Sequence, residues 1–100
     1  MLNFDRIIGF DWDTGNGRKN TDKHGVGQSD SEQVFFNEPL LLVADLKHSF
    51  AEQRFHALGP TEEGRLLHVT FTLRHDETLI RVISARDMNR KERTYYEQNA

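Results

Sequence analysis

Apolar and polar residues alternate most regularly between Arg65 and Leu73, where Arg65, Leu67, Val69, Phe71 and Leu73 fall on one side and Leu66, His68, Thr70 and Thr72 on the other. Successive side chains of an extended chain point to opposite faces, so this period of two predicts a strand with one buried face. Leu40–Asp45 and Glu52–Leu58 read as earlier strands, the second closed by Gly59 and Pro60. After a turn at His75, Asp76 and Glu77, Leu79–Ala85 carries apolar residues on both faces, the mark of a central strand.

Before Pro39 the pattern differs. Gly9, Gly15, Gly17, Gly25 and Gly27 exclude a long early helix. Phe10 and Trp12 alternate with Asp11 and Asp13, as in a short strand or extended arm with both aromatics on one side. A short helix fits Arg18–His24, stopped by Gly25, and a second fits Ser31–Phe36, with capping-box spacing from Ser29 to Glu32. Ser84 and Asp87 repeat that spacing and open a final helix with Met88, Tyr95 and Tyr96 as its docking stripe. The expectation is an α+β fold of two short N-terminal helices, a four-stranded and mainly antiparallel sheet, and a C-terminal helix. Its core should contain Phe35, Leu67, Val69, Phe71, Ile80, Val82 and Tyr95. Helices this short need the sheet to dock on.

With 100 residues and no interior linker, one domain over residues 1–100 is expected. Cysteine is absent, which excludes disulfides and thiolate chemistry. No apolar run approaches the roughly 18 residues of a membrane span, and the opening MLNFDRIIGF lacks a signal pattern, so the cytoplasm is the expected compartment and no membrane the expected partner. The net charge of −3 hides an uneven distribution. Residues 1–64 hold six Lys/Arg against eleven Asp/Glu, whereas residues 65–100 hold seven against five. A face that receives phosphates would therefore be local, while the acidic half suits water or a basic partner.

No phosphate loop, dinucleotide fingerprint or zinc-helix spacing is present, so neither cofactor nor metal is expected. The dense polar string is His48, Glu52, Arg54 and His56. On a strand Glu52, Arg54 and His56 share a face, which sets an acid, a permanent cation and an imidazole side by side. Arg65 and Arg81 would join them if the register allows. Such a group suits a phosphodiester, since guanidinium forks grip phosphate oxygens and a carboxylate or imidazole moves a proton. The plain alternative is a surface ion pair between Glu52 and Arg54, with His56 and His68 as half-buried packing residues and Trp12 as core or lid.

Several segments in order carry a resemblance. They are Lys23-His24-Gly25-Val26, Val34-Phe35-Phe36-Asn37-Glu38-Pro39, Asp45 with His48-Ser49, Glu52-Gln53-Arg54-Phe55, Gly64-Arg65-Leu66-Leu67, Ile80-Arg81-Val82-Ile83-Ser84-Ala85-Arg86 and Arg90-Lys91-Glu92-Arg93-Thr94-Tyr95-Tyr96-Glu97. From about Phe10 to Glu97 the chain resembles the BrnT family of type II toxin-antitoxin toxins. The resemblance implies a RelE-like fold and a cofactor-free endoribonuclease that arrests translation. It also implies a BrnA-like ribbon-helix-helix antitoxin that binds operator DNA itself, so that this chain meets DNA only indirectly. The family's polar positions fall on Lys23, His24, Glu52, Arg54, Arg65, Arg81 and Arg86.

A metal-free ribonuclease can use the substrate's 2'-hydroxyl as nucleophile. On that reading Arg54, Arg65 and Arg81 hold phosphate, Glu52 is the base, and His24 or Lys23 serves the leaving group, with Arg86 auxiliary. Two other classes stay open: a catalytically weak antitoxin-binding protein in a DNA-binding autoregulatory complex, and an unrelated small structural domain.

Overall fold

The computed structural model describes residues 3–13 and 24–100. Five strands form one mixed sheet: β1 (Gly9–Phe10), β2 (Leu41–Asp45), β3 (Arg54–Pro60), β4 (Leu66–Arg74) and β5 (Leu79–Asp87), in the order β1-β5-β4-β3-β2. Helix α1 (Gln28–Val34) precedes β2, and α2 (Arg90–Asn99) follows β5.

The antiparallel run β2-β3-β4-β5 matches the expected four strands, but the sheet has a fifth. Gly9 pairs with Leu79 and Phe10 with Ile80 in parallel, flanked by hydrogen bonds from the Ile8 N–H to the Thr78 carbonyl and from the Asp11 N–H to the Ile80 carbonyl, each 2.8 Å. The short strand or extended arm expected around Phe10 to Asp13 forms here, paired at Gly9 and Phe10, although its alternation did not say which strand it would join. The addition gives β5 a neighbour on each side, as its two apolar faces required, while β4 holds the middle of the sheet. Of the two expected N-terminal helices, the first lies outside the described residues except for His24, and the second is α1.

Strand alternation sorts the sheet into two faces. One packs Phe55, Ala57, Leu67, Val69, Phe71, Ile80, Val82 and Ala85 against Val26 and Val34. Removing this much apolar surface from water is the main force holding the fold. Phe71 stacks on Phe55 at 5.4 Å and meets the edge of Phe35 at 5.1 Å, and Phe35 in turn meets Phe10 at 5.6 Å. Phe35 is half-buried rather than fully buried, because it stands at the end of α1. Gly59 lets α1 approach β3, since a Cβ there would lie 3.3 Å from both Val34 Cγ1 and the Pro39 carbonyl oxygen. Gly64 turns the chain into β4 at φ +86°, in the left-handed region that glycine tolerates.

The other face is polar, and α2 covers one end of it. There Leu58, Met88 and Tyr96 form a small second cluster, and the Tyr96 hydroxyl donates to the Pro39 carbonyl at 2.6 Å. Tyr95, expected in the core, is 47% exposed. Adjacent helical positions differ by about 100°, so one of the two tyrosines must face away.

Both expected capping boxes are displaced. Helix α1 begins at Gln28, after Gly27 and without a side-chain cap; Ser29 instead accepts from Gln33, and Glu32 accepts from the Trp12 indole at 2.8 Å. Ser84 lies within β5 opposite Thr70, and the true box at α2 is Asn89 with Glu92. No helix among the described residues is long and apolar enough to cross a membrane.

Candidate functional site on the polar face

The polar face is built in rows by strand register. Asp45 lies opposite Arg54, and since Phe55 pairs with Phe71, Arg54 stands beside Thr72, which pairs with Arg81. The next row holds Val43, His56, Thr70 and Ser84, and the one beyond it holds Leu58, His68 and Arg86. Arg54 and Arg81 are two strands apart, roughly 10 Å between Cα atoms.

Glu52 precedes β3 in the loop rather than lying in the strand as expected. Its carboxylate accepts from Arg74 Nη1 at 2.5 Å. Arg81 is turned to the chain's start, donating to Asp11 at 3.4 Å and to Asp13. Arg54 differs from both: its Nε is buried and has no hydrogen-bond partner. Buried donors normally find acceptors, and a guanidinium that lines a groove without being saturated by the protein is suited to grip an anion.

Beside Arg54 stands a pair not singled out as catalytic from the sequence. Asp45 is buried, and both of its oxygens lie 3.1–3.2 Å from His48 Nδ1. Burial pushes the Asp45 carboxyl up, but hydrogen bonds from the His48 ring and backbone N–H, with the charges of His56 and His48, bring it below the usual carboxylate range. An ionised Asp45 orients the imidazole and leaves its Nε2 toward solvent, since the His48 side chain is 59% exposed. The three-residue spacing from Asp45 to His48 was the available signal. It required knowing that a tight 3-10 turn over Leu46–His48 folds the ring back.

Arg65 and His24 do not join this group. Leu66 lies opposite Pro60, six residues along β3 from Arg54, so Arg65 sits roughly 20 Å away. Its guanidinium clasps Asp87 at 2.6 and 3.0 Å and the carbonyls of Gly25 and His24 at 2.8 and 3.2 Å. The Asp87 carboxyl is lowered chiefly by that bond, and the Arg65 guanidinium is raised by it. Lys23 lies outside the described residues.

Arg86 lies in β5 and takes a third position. It donates twice to Glu92, both at 2.7 Å. Those bonds outweigh burial and hold the Glu92 carboxyl at about 2. His68 Nε2 stands 3.6 Å from Glu92, its ring 4.5 Å from that of His56, and burial lowers it to about 4. His56 bridges Thr70 at 2.9 Å and Asp45 at 3.2 Å and is lowered by burial against the raising charge of Asp45. With both nitrogens partnered, His56 behaves as the packing residue expected. No cluster among the described residues has the ligands of a metal site.

A family model described as the ribonuclease toxin BrnT of type II toxin-antitoxin systems matches residues 12–92. Among solved structures, the ribonuclease toxin BrnT of Brucella abortus is similar with a TM-score of 0.58 at 22% identity, covering 83% of this chain and 99% of that one. That likeness bears on the fold. A search of curated proteins finds no match.

Proposed function

This chain belongs to the BrnT family of ribonuclease toxins of type II toxin-antitoxin systems, and from that premise we propose that it cleaves RNA around Arg54, using the substrate's own 2'-hydroxyl and no metal. The observation that carries the reading is that Arg54 lines a groove, its Nε unmatched by a protein acceptor, beside a carboxylate and an oriented imidazole.

The 2'-oxygen attacks phosphorus as the 5'-oxygen leaves, which gives a 2',3'-cyclic phosphate and a 5'-hydroxyl. Arg54 grips the non-bridging oxygens, where charge builds in the transition state. Arg81 adds positive charge from two strands away once phosphate displaces Asp13, the more exposed of its partners at 48% against 26% for Asp11. Glu52, oriented by the hydrogen bond it accepts from Arg74, accepts the 2'-hydroxyl proton. His48, oriented by Asp45, returns a proton to the leaving 5'-oxygen. Arg65 acts from a distance by clasping the His24–Gly25 backbone, and Arg86 by fixing the start of α2; both are positioning residues.

A type II toxin has an antitoxin partner. We take it to be a ribbon-helix-helix protein of basic charge that supplies the contacts to operator DNA, with translation arrest as the consequence when it is lost.

The test uses purified protein, EDTA, and RNA carrying one 2'-deoxy position at the mapped cut. Cleavage should vanish at that position and persist in EDTA. Glu52→Gln should abolish most activity, while His75→Ala, in an exposed turn, should keep it. Unchanged cleavage of the 2'-deoxy substrate overturns the mechanism. Full neutralisable binding to the antitoxin without cleavage of any RNA favours the partner-binding alternative.

A further inference from the structure

Phe50 is 100% exposed, and Leu46 nearby is 87% exposed. Isolated exposed apolar residues are ordinary, but the setting of Phe50 is not. The backbone on both sides of it is tied down: Asp45 caps the turn through the His48 N–H at 3.2 Å, and Ser49 Oγ donates to the Asp45 carbonyl at 2.5 Å while accepting from the Arg54 N–H at 3.0 Å. That hydroxyl bridges the loop across Phe50. The ring also lines the same open groove as the candidate catalytic side chains, about 320 Å³ bounded by Lys47, His48, Phe50, Glu52 and Arg54.

An aromatic face held between cations is the composition that holds an unpaired nucleotide. The cations follow the backbone phosphates while the ring stacks on a base, whatever its identity. Resting on the cleavage reading above, we propose that Phe50 is the platform on which a nucleobase next to the cleaved phosphate stacks, with Lys47 taking a neighbouring phosphate, so that the groove selects unpaired RNA. Bases in a duplex are stacked on one another and cannot offer a free face to the ring.

The experiment places 2-aminopurine at successive positions around the cut of a short single-stranded RNA, with 2'-deoxyribose at the cut to prevent turnover. Wild-type protein should quench one position next to the cut, Phe50→Tyr should keep that quench, and Phe50→Ala and Phe50→Leu should lose it. On cleavable RNA, kcat/KM should fall about 5- to 150-fold in the Ala and Leu variants, through KM, and hold in the Tyr variant. The ring touches solvent only, so the unfolding midpoint should not move. Leu performing as well as Tyr overturns stacking. Wild-type cleavage by Phe50→Ala overturns the proposal while leaving the cleavage reading intact. Phe50-dependent quenching of 2-aminopurine RNA that keeps every 2'-hydroxyl, without any cleavage, does the reverse, supporting Phe50 and overturning the cleavage reading. Intact cleavage by Phe50→Ala with lost rescue by co-expressed antitoxin assigns the loop to that partner and overturns the proposal.

Discussion

At one end of the sheet Arg65, on the side of the main core, and Arg86, on the polar face, each grip a carboxylate with two nitrogens, and Arg65 adds two backbone carbonyls. At the other, Arg54 keeps a buried nitrogen without a partner, and Asp45 aims His48 outward rather than neutralising an arginine. All three arginines sit on or beside strands of one sheet and look alike in the chain. A guanidinium whose donors are saturated by the protein joins elements together, whereas one that lines a groove unsaturated can take an anion. Substitutions at the saturated end should therefore act on stability, and those at the open end on turnover.

The sharpest way to break this contrast is Arg54→Ala. Cleavage should drop roughly 100-fold to 1,000-fold, the usual cost of losing one contact to transition-state charge, about 2.7–4 kcal/mol. The denaturation midpoint should stay near wild type. Arg54→Lys restores charge but not the fork, so single-turnover rates should recover only in part. A large loss of stability with normal turnover per folded molecule would place Arg54 with the structural arginines.

Next in size is the acid response of the saturated end. Between pH 6.5 and about 4 the unfolded chain takes a proton at His68 that the folded chain resists, so stability should fall as pH falls through that window, by about 3 kcal/mol at its foot. Protonation of Glu92, held at about 2, continues the loss from pH 4.5 downward. His68→Leu should flatten the upper part of the curve, and it also removes a buried nitrogen without a partner. Urea midpoints measured across the range would show it. A flat profile in the wild type would contradict the burial argument.

Arg86→Ala should cost about 2 kcal/mol, because Glu92 would be left half-buried without its cation, holding only the Asn89 cap; the value lies below that for a fully enclosed pair since Arg86 is 36% exposed. Thermal unfolding should show the loss, and Glu92→Ala in the same background should add little more. Smallest is Arg65→Ala, about 1 kcal/mol, given the exposed Asp87 partner. Its cleavage defect, corrected for the folded fraction, should be well under that of Arg54→Ala. An equal defect would restore Arg65 to the phosphate site.

The sequence by itself determined the three long strands and the core they bury. Leu67, Val69, Phe71, Ile80 and Val82 are essentially inaccessible, as their alternation required, because a period of two is a local property of extended backbone. The ordered segments from Lys23 to Glu97 likewise marked the family, and the family model over residues 12–92 agrees. Tertiary structure decided the rest. The alternation at Phe10 to Asp13 offered a short strand or an arm, and β1 is a strand because β5 offers it an edge. Asn89 rather than Ser84 caps α2 because β5 runs on to Asp87 and occupies Ser84 in the ladder. Arg65 is separated from Arg54 because a hairpin register places Leu66 against Pro60. Which carboxylate meets which arginine depends on contacts between residues far apart in the chain. A one-residue slip would carry each side chain to the opposite face, so identity and spacing name the candidates while only the folded register says which of them has a donor left to give.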